Sequence, residues 1–121
     1  MNVEELRDYF LSKKATSESF PFDDNALVFK VMDKMYGLIT LNDADINLKC
    51  DPEKAIELRE EYDDILPGYH MNKKHWNTIS TTGSLSSTLI KEMIDHSYDL
   101  VVSKLTRKKK EELNQLTSNS E

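Results

Sequence analysis

The sequence predicts a single α+β domain, a two-layer sandwich in which helices pack on one face of an antiparallel β-sheet. Its 121 residues, 38% of them hydrophobic, are enough for one compact core. Segments with a two-residue apolar period alternate along the chain with segments of helical period. The short connections PFDDN and DK between predicted strands are typical of an antiparallel sheet. Together these three observations favour a layer of helices over a sheet.

The first half of the chain predicts one helix followed by strands. Asn2 is placed to cap a helix that ends near Lys13, and Glu5 completes a capping box. Strands rich in β-branched and aromatic residues are predicted within 15–22, 26–32 and 36–41. Residues 45–50 alternate strictly and put Ile46, Leu48 and Cys50 on one face, which predicts a strand with one wet side. Cys50 is therefore expected to be a small core side chain.

The second half predicts two more helices and a hairpin. Asp51 is the expected N-cap of a helix with Pro52 at its first position. Residues 68–79 follow a proline and are predicted to form a hairpin or loop tip. Ser84 or Ser86 is expected to cap a helical segment that reaches Leu105, as one helix or as two with a bend near His96. Residues 107–121, basic and then polar, are predicted to be a disordered tail outside a domain of residues 1–106.

Charge and cysteine content narrow the functional classes. The net charge is −6, yet residues 1–103 carry 11 basic and 19 acidic side chains, whereas residues 104–121 carry 5 and 3. An acidic body argues against nonspecific capture of nucleic acid, so any such contact needs a local patch. The single cysteine is typical of a reducing compartment and predicts a cytoplasmic protein. The sequence has no apolar run long enough to cross a bilayer and begins with a charged stretch, which predicts a soluble, unprocessed protein without a membrane partner. We expect it to be a monomer.

Four stretches carry a family resemblance: FPFDDNALVFKVMDKMYGLITL, INLKCDPEKAIELRE, GYHMNKKHWNTI and LIKEMIDHSYDLVVSKL. They resemble the MmcQ/YjbR family of small bacterial proteins up to about residue 108. The resemblance implies a fold like that of the frataxin homologue, called CyaY-like, and a role in binding double-stranded DNA. The family tends to have glycines at the first hairpin turn, where this chain has Met32, Asp33 and Lys34. We therefore expect that turn to be kept or to be wider.

The segment 68–79 contains the predicted binding site. Lysines reach phosphates, imidazoles donate hydrogen bonds and an indole stacks on bases or wedges between them. An exposed sheet face beside this segment is expected to extend the DNA contact. The alternative is a solvated lysine turn with a tryptophan that anchors the core. The candidate DNA-binding residues are Lys73, Lys74, His75, His70 and Trp76.

Other functions have weaker support in the sequence. His70 and His75 lack a certain third ligand for a metal site. Two acidic clusters suit a solvated helix face as well as an iron-binding ridge, and the basic run 104–110 suits a solubilising end as well as a phosphate contact. No glycine-rich phosphate loop or nucleophile–base pattern occurs, so no cofactor and no catalysis are predicted. The alternatives to DNA binding are a protein–protein adaptor and a small enzyme that uses His70 or His75 as general base. The acidic residues are Glu57, Glu60, Glu61, Asp63 and Asp64, and Glu4, Glu5 and Asp8.

Overall fold

The computed structural model describes residues 1–69 and 71–116, which form a six-stranded antiparallel sheet with helices packed on one face. The strand order is β1-β2-β3-β4-β6-β5. The predicted α+β class is confirmed. The helices are α1 (Val3–Leu11), α2 (Pro52–Glu61), α3 (Ser87–Ser103) and α4 (Arg107–Gln115). The strands are β1 (Thr16–Ser19), β2 (Ala26–Val31), β3 (Lys34–Thr40), β4 (Asp45–Lys49), β5 (Ile65–Pro67) and β6 (Trp76–Ile79). Within these residues, no helix combines the length and the apolar character needed to cross a membrane.

The predicted helix caps are confirmed. Asn2 Oδ1 accepts a hydrogen bond from the Glu5 amide at 2.8 Å, and Glu5 Oε1 accepts one from the Asn2 amide at 3.1 Å. Asp51 Oδ2 accepts from the backbone N–H of residue 54 at 3.3 Å, with Pro52 at the start of α2. Ser86 caps α3, which is one helix. Each cap satisfies an amide that the helix itself leaves unpaired, which is why such short patterns mark helix starts reliably.

The core lies between the sheet and the helices. Ile46, Leu48 and Cys50 are buried in it, as their alternation in the sequence predicts. The ring of Phe10 from α1 stacks on Phe29 of β2 with 4.3 Å between the ring centroids. Side chains from all four helices and from every strand except the edge strand β1 complete this apolar layer. The other face of the sheet, named the open face below, carries the alternate residues of each strand.

The first hairpin turn is kept and is tight. Met32 and Asp33 connect β2 and β3, with φ angles of 49° and 67°. Positive φ at both central residues is the geometry of a two-residue hairpin turn that matches the twist of the flanking strands. The wider alternative considered from the sequence is therefore wrong, although neither residue is glycine.

The prediction of a disordered tail is wrong for residues 107–116. Thr106 caps α4 by accepting a hydrogen bond from the Lys109 amide at 3.2 Å, and Leu113 is buried in the core. Lys109 Nζ also donates to the Met32 carbonyl at 3.3 Å. One buried leucine, one tertiary hydrogen bond and a local N-cap thus hold a helix whose sequence lacks a continuous apolar stripe. The part of the tail prediction that concerns residues 117–121 lies outside the described residues.

Charge is segregated between the two ends of the sheet. Because neighbouring strands are antiparallel, the connections alternate between these ends. At the acidic end, the connections 20–25, 41–44, 62–64 and 80–86 contain no lysine or arginine, and the first three of them contain aspartates. At the basic end lie Lys13, Lys14, Lys34, Lys49, Lys73, Lys74 and Lys104, together with the acids Asp33 and Asp51. The fold therefore makes a local basic surface on an acidic protein.

Candidate functional site

The tip loop, described at residues 68–69 and 71–75, lies at the basic end and is folded tightly against the sheet. The Gly68 amide donates to the Trp76 carbonyl at 2.8 Å, and the Trp76 amide donates to the Asn72 carbonyl at 3.0 Å. The Cys50 amide donates to the His75 carbonyl at 2.7 Å, which ties the loop to the end of β4. A Cβ atom added to Gly68 would lie 2.8 Å from Trp76 Cβ, so glycine permits this close approach. These contacts hold the loop backbone in place beside β4 and β6.

Arg59 of α2 holds the same loop from the helix side. Its Nε donates to Asn77 Oδ1 at 2.7 Å, and its Nη2 donates to the carbonyls of Trp76, at 3.1 Å, and Lys73. The guanidinium carries several donors in a rigid plane and can therefore bind several acceptors of one turn at once. Sequence reasoning missed this role because these partners lie 14 to 18 residues further along the chain. No pattern local to α2 points to them.

The lysines of the predicted site are exposed. Lys73 Nζ lies 3.4 Å from the Gly68 carbonyl, and the Lys74 side chain extends from the loop into solvent. Ion pairs within residues 1–69 and 71–116 join Arg7 to Glu18, Lys13 to Asp95 and Arg107 to Glu111. Neither tip lysine belongs to one of these pairs, so their charge is available to an anionic partner.

The other predicted site residues differ in accessibility. His75 is half-buried beside the end of β4, and His70 lies outside the described residues. Trp76 is only 9% exposed and pairs with Lys49 in the sheet register, which puts both residues on the open face. The alternative of a buried tryptophan is therefore confirmed, although its side chain lies outside the main core cluster. A direct stacking contact of Trp76 with a base is incompatible with this burial, and that part of the predicted site is wrong.

A pocket of about 240 Å³ at the basic end is lined by two lysines and a histidine from three separate elements. Lys49 comes from the end of β4, His75 from the tip loop and Lys104 from the C-cap of α3. Asp51 also lines it, with one carboxylate oxygen engaged in capping α2. Lys49 was not predicted as a site residue, and Lys104 was predicted only as part of a terminal basic run. Only the strand order brings the two lysines together with His75.

The lining of this pocket contains groups that bind anions. Cys50 lines it as well, but burial raises the pKa of its thiol, which reduces the fraction present as the nucleophilic thiolate. Across the described residues, no group of three or more His, Cys, Asp and Glu side chains is arranged to hold a metal ion. Two lysines and an imidazole, in contrast, are the groups that hold phosphate or carboxylate oxygens.

His96 of α3 lies close to this pocket and plays a structural part. Its Nε2 accepts a hydrogen bond from the Asp51 amide at 3.2 Å, so this nitrogen is unprotonated in the folded protein. Burial lowers the pKa of His96, and the positive charge of Lys54 lowers it further. The carboxylates of Asp51 and Asp99 oppose these effects and raise the pKa by smaller amounts. The neutral imidazole therefore stabilises the junction of β4 and α2.

We expect His96 to make folding stability fall as the solution becomes acidic. Its pKa is lower in the folded than in the unfolded chain, so the unfolded chain takes up this proton first as the pH falls. The stabilisation is complete above the unfolded value of about 6.5 and is lost as the pH falls from there towards the lower folded value. Urea unfolding of the wild type and of His96→Gln between about pH 8 and about pH 5.5 measures this difference. Equal loss of stability in both proteins would contradict the assignment.

A second concave region, named the open-face groove, has a volume of about 540 Å³ and crosses the open face towards the acidic end. Its floor is formed by alternate residues of β2, β3, β4 and β6, and its walls by the β1–β2 connection and the tip loop. Three carboxylates line it, from Asp23, Asp43 and Asp45. No lysine, arginine or histidine is among its lining residues in the described parts of the chain. The groove is therefore opposite in charge to the basic pocket.

Comparisons with known proteins agree with this fold. The chain is 34% identical over 118 residues to the uncharacterized protein YjbR of Escherichia coli K12, which covers 96% of this chain and 100% of that protein. It is 38% identical over 91 residues to the uncharacterized protein YbdF of Escherichia coli O157:H7, covering 74% of this chain and 75% of that protein. A Deinococcus radiodurans crystal structure with a DUF419 domain matches with a TM-score of 0.87 and 40% identity, covering 97% and 91% of the two chains. A Pseudomonas syringae crystal structure matches with a TM-score of 0.71 and 33% identity, covering 83% and 98%.

The family model for YjbR matches residues 11–100, which include the whole sheet and most of α3. The likeness to CyaY implied by the family resemblance stays a prediction, because these relatives and structures do not test it. The match extends over most of the chain and agrees with the relatives of similar length. The chain therefore belongs to the YjbR family.

Proposed function

We propose that this protein is a noncatalytic binding protein whose basic end contacts the phosphate backbone of duplex DNA. The observation that carries the proposal is the convergence of Lys49, His75 and Lys104 on one pocket at the basic end. The exposed Lys73 and Lys74 extend from the tip loop at the same end. Clustered ammonium groups are the elements that bind a polyanion, and the one carboxylate that lines the pocket, that of Asp51, has an oxygen engaged in capping α2. The family resemblance supplies duplex DNA as the expected polyanion.

The proposed contact excludes the open face, contrary to the expectation from the sequence. Asp23, Asp43 and Asp45 line the groove there and would repel phosphates. The segregation of charge would instead orient the protein with its basic end towards DNA. Since Trp76 is buried, the contact uses phosphates and carries little information about base sequence. The surrounding acidic protein keeps the affinity low and sensitive to salt.

Charge reversal in the tip loop tests this proposal. A labelled duplex titrated with the wild type should show binding by fluorescence anisotropy at about 50 mM salt, with a slope of log K against log salt of about −3 to −4, as for roughly four phosphate contacts. The Lys73→Glu/Lys74→Glu variant should bind at least about tenfold more weakly, because two attractive contacts become repulsive.

The matched control is Lys91→Glu on α3, an exposed lysine away from the basic end, compared with Lys74→Glu alone. We expect Lys91→Glu to bind within about twofold of wild type and Lys74→Glu to bind clearly more weakly. Binding that is insensitive to salt, or equal in wild type and the double variant, would rule out the proposed contact. If the wild type does not change the anisotropy of the labelled duplex, the result would instead favour the protein–protein adaptor.

A further inference from the structure

We propose that the open-face groove binds a small organic cation with an apolar body, an amine of the aryl-alkyl class. This site is separate from the basic pocket and does not depend on DNA binding. A volume of about 540 Å³ is within the usual range of pockets for small molecules. The groove combines aromatic walls, a polar centre and an acidic end, and each part recognises a different portion of such a ligand.

The walls supply apolar contact area. Phe22 from the β1–β2 connection is 71% exposed and Tyr69 from the tip loop is 70% exposed, and both line the groove. Leu38 and Met35 of β3 and Met71 of the tip loop also line the groove. Two solvent-exposed aromatic rings that line a concave surface are typical of a ligand site. Aromatic faces also attract cations.

The acidic end supplies the charge that selects a cation. Asp23 Oδ1 accepts from the amides of Asn25 and Ala26, at 2.8 and 2.9 Å, and Asp43 Oδ1 accepts from the Asp45 amide at 3.0 Å. The half-buried Asp45 carboxylate has no hydrogen-bond donor within residues 1–69 and 71–116. Burial, and then the charge of Asp43, raise the pKa of Asp45, which reflects this lack of compensation. A bound ammonium group would supply the missing partner.

The polar centre supplies a hydrogen-bond donor. Asn47 is only 7% exposed, lines the groove and accepts at Oδ1 from the Thr78 hydroxyl at 2.6 Å. That hydroxyl in turn accepts from the Tyr69 amide at 2.9 Å, which orients the amide of Asn47. Asn47 Nδ2 has no hydrogen-bond partner in the described parts of the chain, and it is not among fully enclosed atoms left unpaired. It therefore opens into the groove and can donate to an acceptor on the ligand.

The spacing of these groups defines the ligand further. Asp45 and Asn47 are two residues apart on one face of β4, which separates them by about 7 Å along the strand. A matching ligand carries an ammonium group at one end, an aromatic body and an acceptor oxygen at the other end. Tyramine has these three features, so it is the probe. Tyrosol replaces the ammonium by a neutral hydroxyl, and 3-(4-hydroxyphenyl)propionate replaces it by a carboxylate.

Titration of the full chain with each probe, followed by amide chemical shifts in NMR spectra, tests the site. We expect tyramine to bind at millimolar concentration and to shift the amides of Tyr69, Asn47 and Thr78. Tyrosol should bind at least about tenfold more weakly, and the carboxylate probe more weakly still, because the acidic end favours only the cation.

Substitutions distinguish binding of tyramine in the groove from nonspecific attraction of a cation to an acidic protein. Asp45→Asn should weaken tyramine binding by about tenfold, and Asp43→Asn serves as a second variant in an exposed connection. Asp63→Asn makes the same charge change at the acidic end outside the groove and should stay within about twofold of wild type. Lys73→Glu/Lys74→Glu should leave tyramine binding intact, whatever its effect on DNA. Equal affinity for tyramine and tyrosol, unchanged binding by both groove variants, or no binding at all would overturn the proposal.

Discussion

Replacing Phe10 by alanine is expected to lower the free energy of unfolding by about 3 to 5 kcal/mol. Phe10 is fully buried, stacks on Phe29 at 4.3 Å and lies 5.7 Å from the ring of Tyr36. It also fills the space above Gly37, where an added Cβ would come within 2.2 Å of Phe10 Cε1. The substitution removes these contacts and leaves a cavity that a sheet and a helix cannot close. Urea unfolding followed by circular dichroism measures the change.

Phe22→Ala is the matched control for this prediction. It makes the same chemical change on a side chain that is 71% exposed, so stability should change by no more than about 0.5 kcal/mol. A similar loss in both variants would contradict the explanation that burial and ring stacking of Phe10 cause the effect. A loss below about 1.5 kcal/mol for Phe10→Ala would mean that neighbouring side chains collapse into the cavity.

Replacing Ser97 by alanine is expected to lower the free energy of unfolding by about 2 to 4 kcal/mol. Ser97 is fully buried in α3, and its hydroxyl donates to the Tyr36 carbonyl at 2.5 Å and accepts from the Lys49 amide at 3.0 Å. This one hydroxyl therefore joins α3 to two strands. Alanine removes a partner from two backbone groups in a dry environment, where an unpaired polar group is costly.

Denaturant unfolding measures the stability of Ser97→Ala, and hydrogen exchange at the Lys49 amide reports the lost bond directly. The control is Ser103→Ala on the same helix, whose exposed hydroxyl donates to the Leu100 carbonyl one turn earlier. We expect little change in that variant, since water replaces the lost partner. Unaltered exchange at Lys49 in Ser97→Ala would contradict the bridging role of this hydroxyl.

The elements with local signals were predicted well from the sequence. The strict alternation of residues 45–50 gave the face of β4, and the caps at Asn2 and Asp51 gave the starts of two helices. These signals act between residues a few positions apart, so they can be recognised without knowing the fold. Helix α4 was missed because its anchor is one buried residue, Leu113, whose partners come from distant parts of the chain.

The candidate sites depended more on the fold. The exposure of Lys73 and Lys74 agrees with the predicted tip, whereas the burial of Trp76 removes a residue from it. Trp76 carries no local sign of whether its ring faces solvent, because that depends on how the tip loop folds back. The open-face groove was not predicted, since its aspartates, aromatic rings and Asn47 come from four separate segments.

By itself the sequence determined the class of fold, most of its helices and strands, and the position of Lys73 and Lys74 in the loop between two strands. The tertiary structure alone decided which charges meet, because strand order and direction bring Lys49, His75 and Lys104 to one end of the sheet. The same strand directions bring Asp23, Asp43 and Asp45 together in the open-face groove, towards the acidic end of the sheet. Hydrogen-bond patterns act over a few residues, but electrostatic fields sum over all charges in space and are therefore set by the fold.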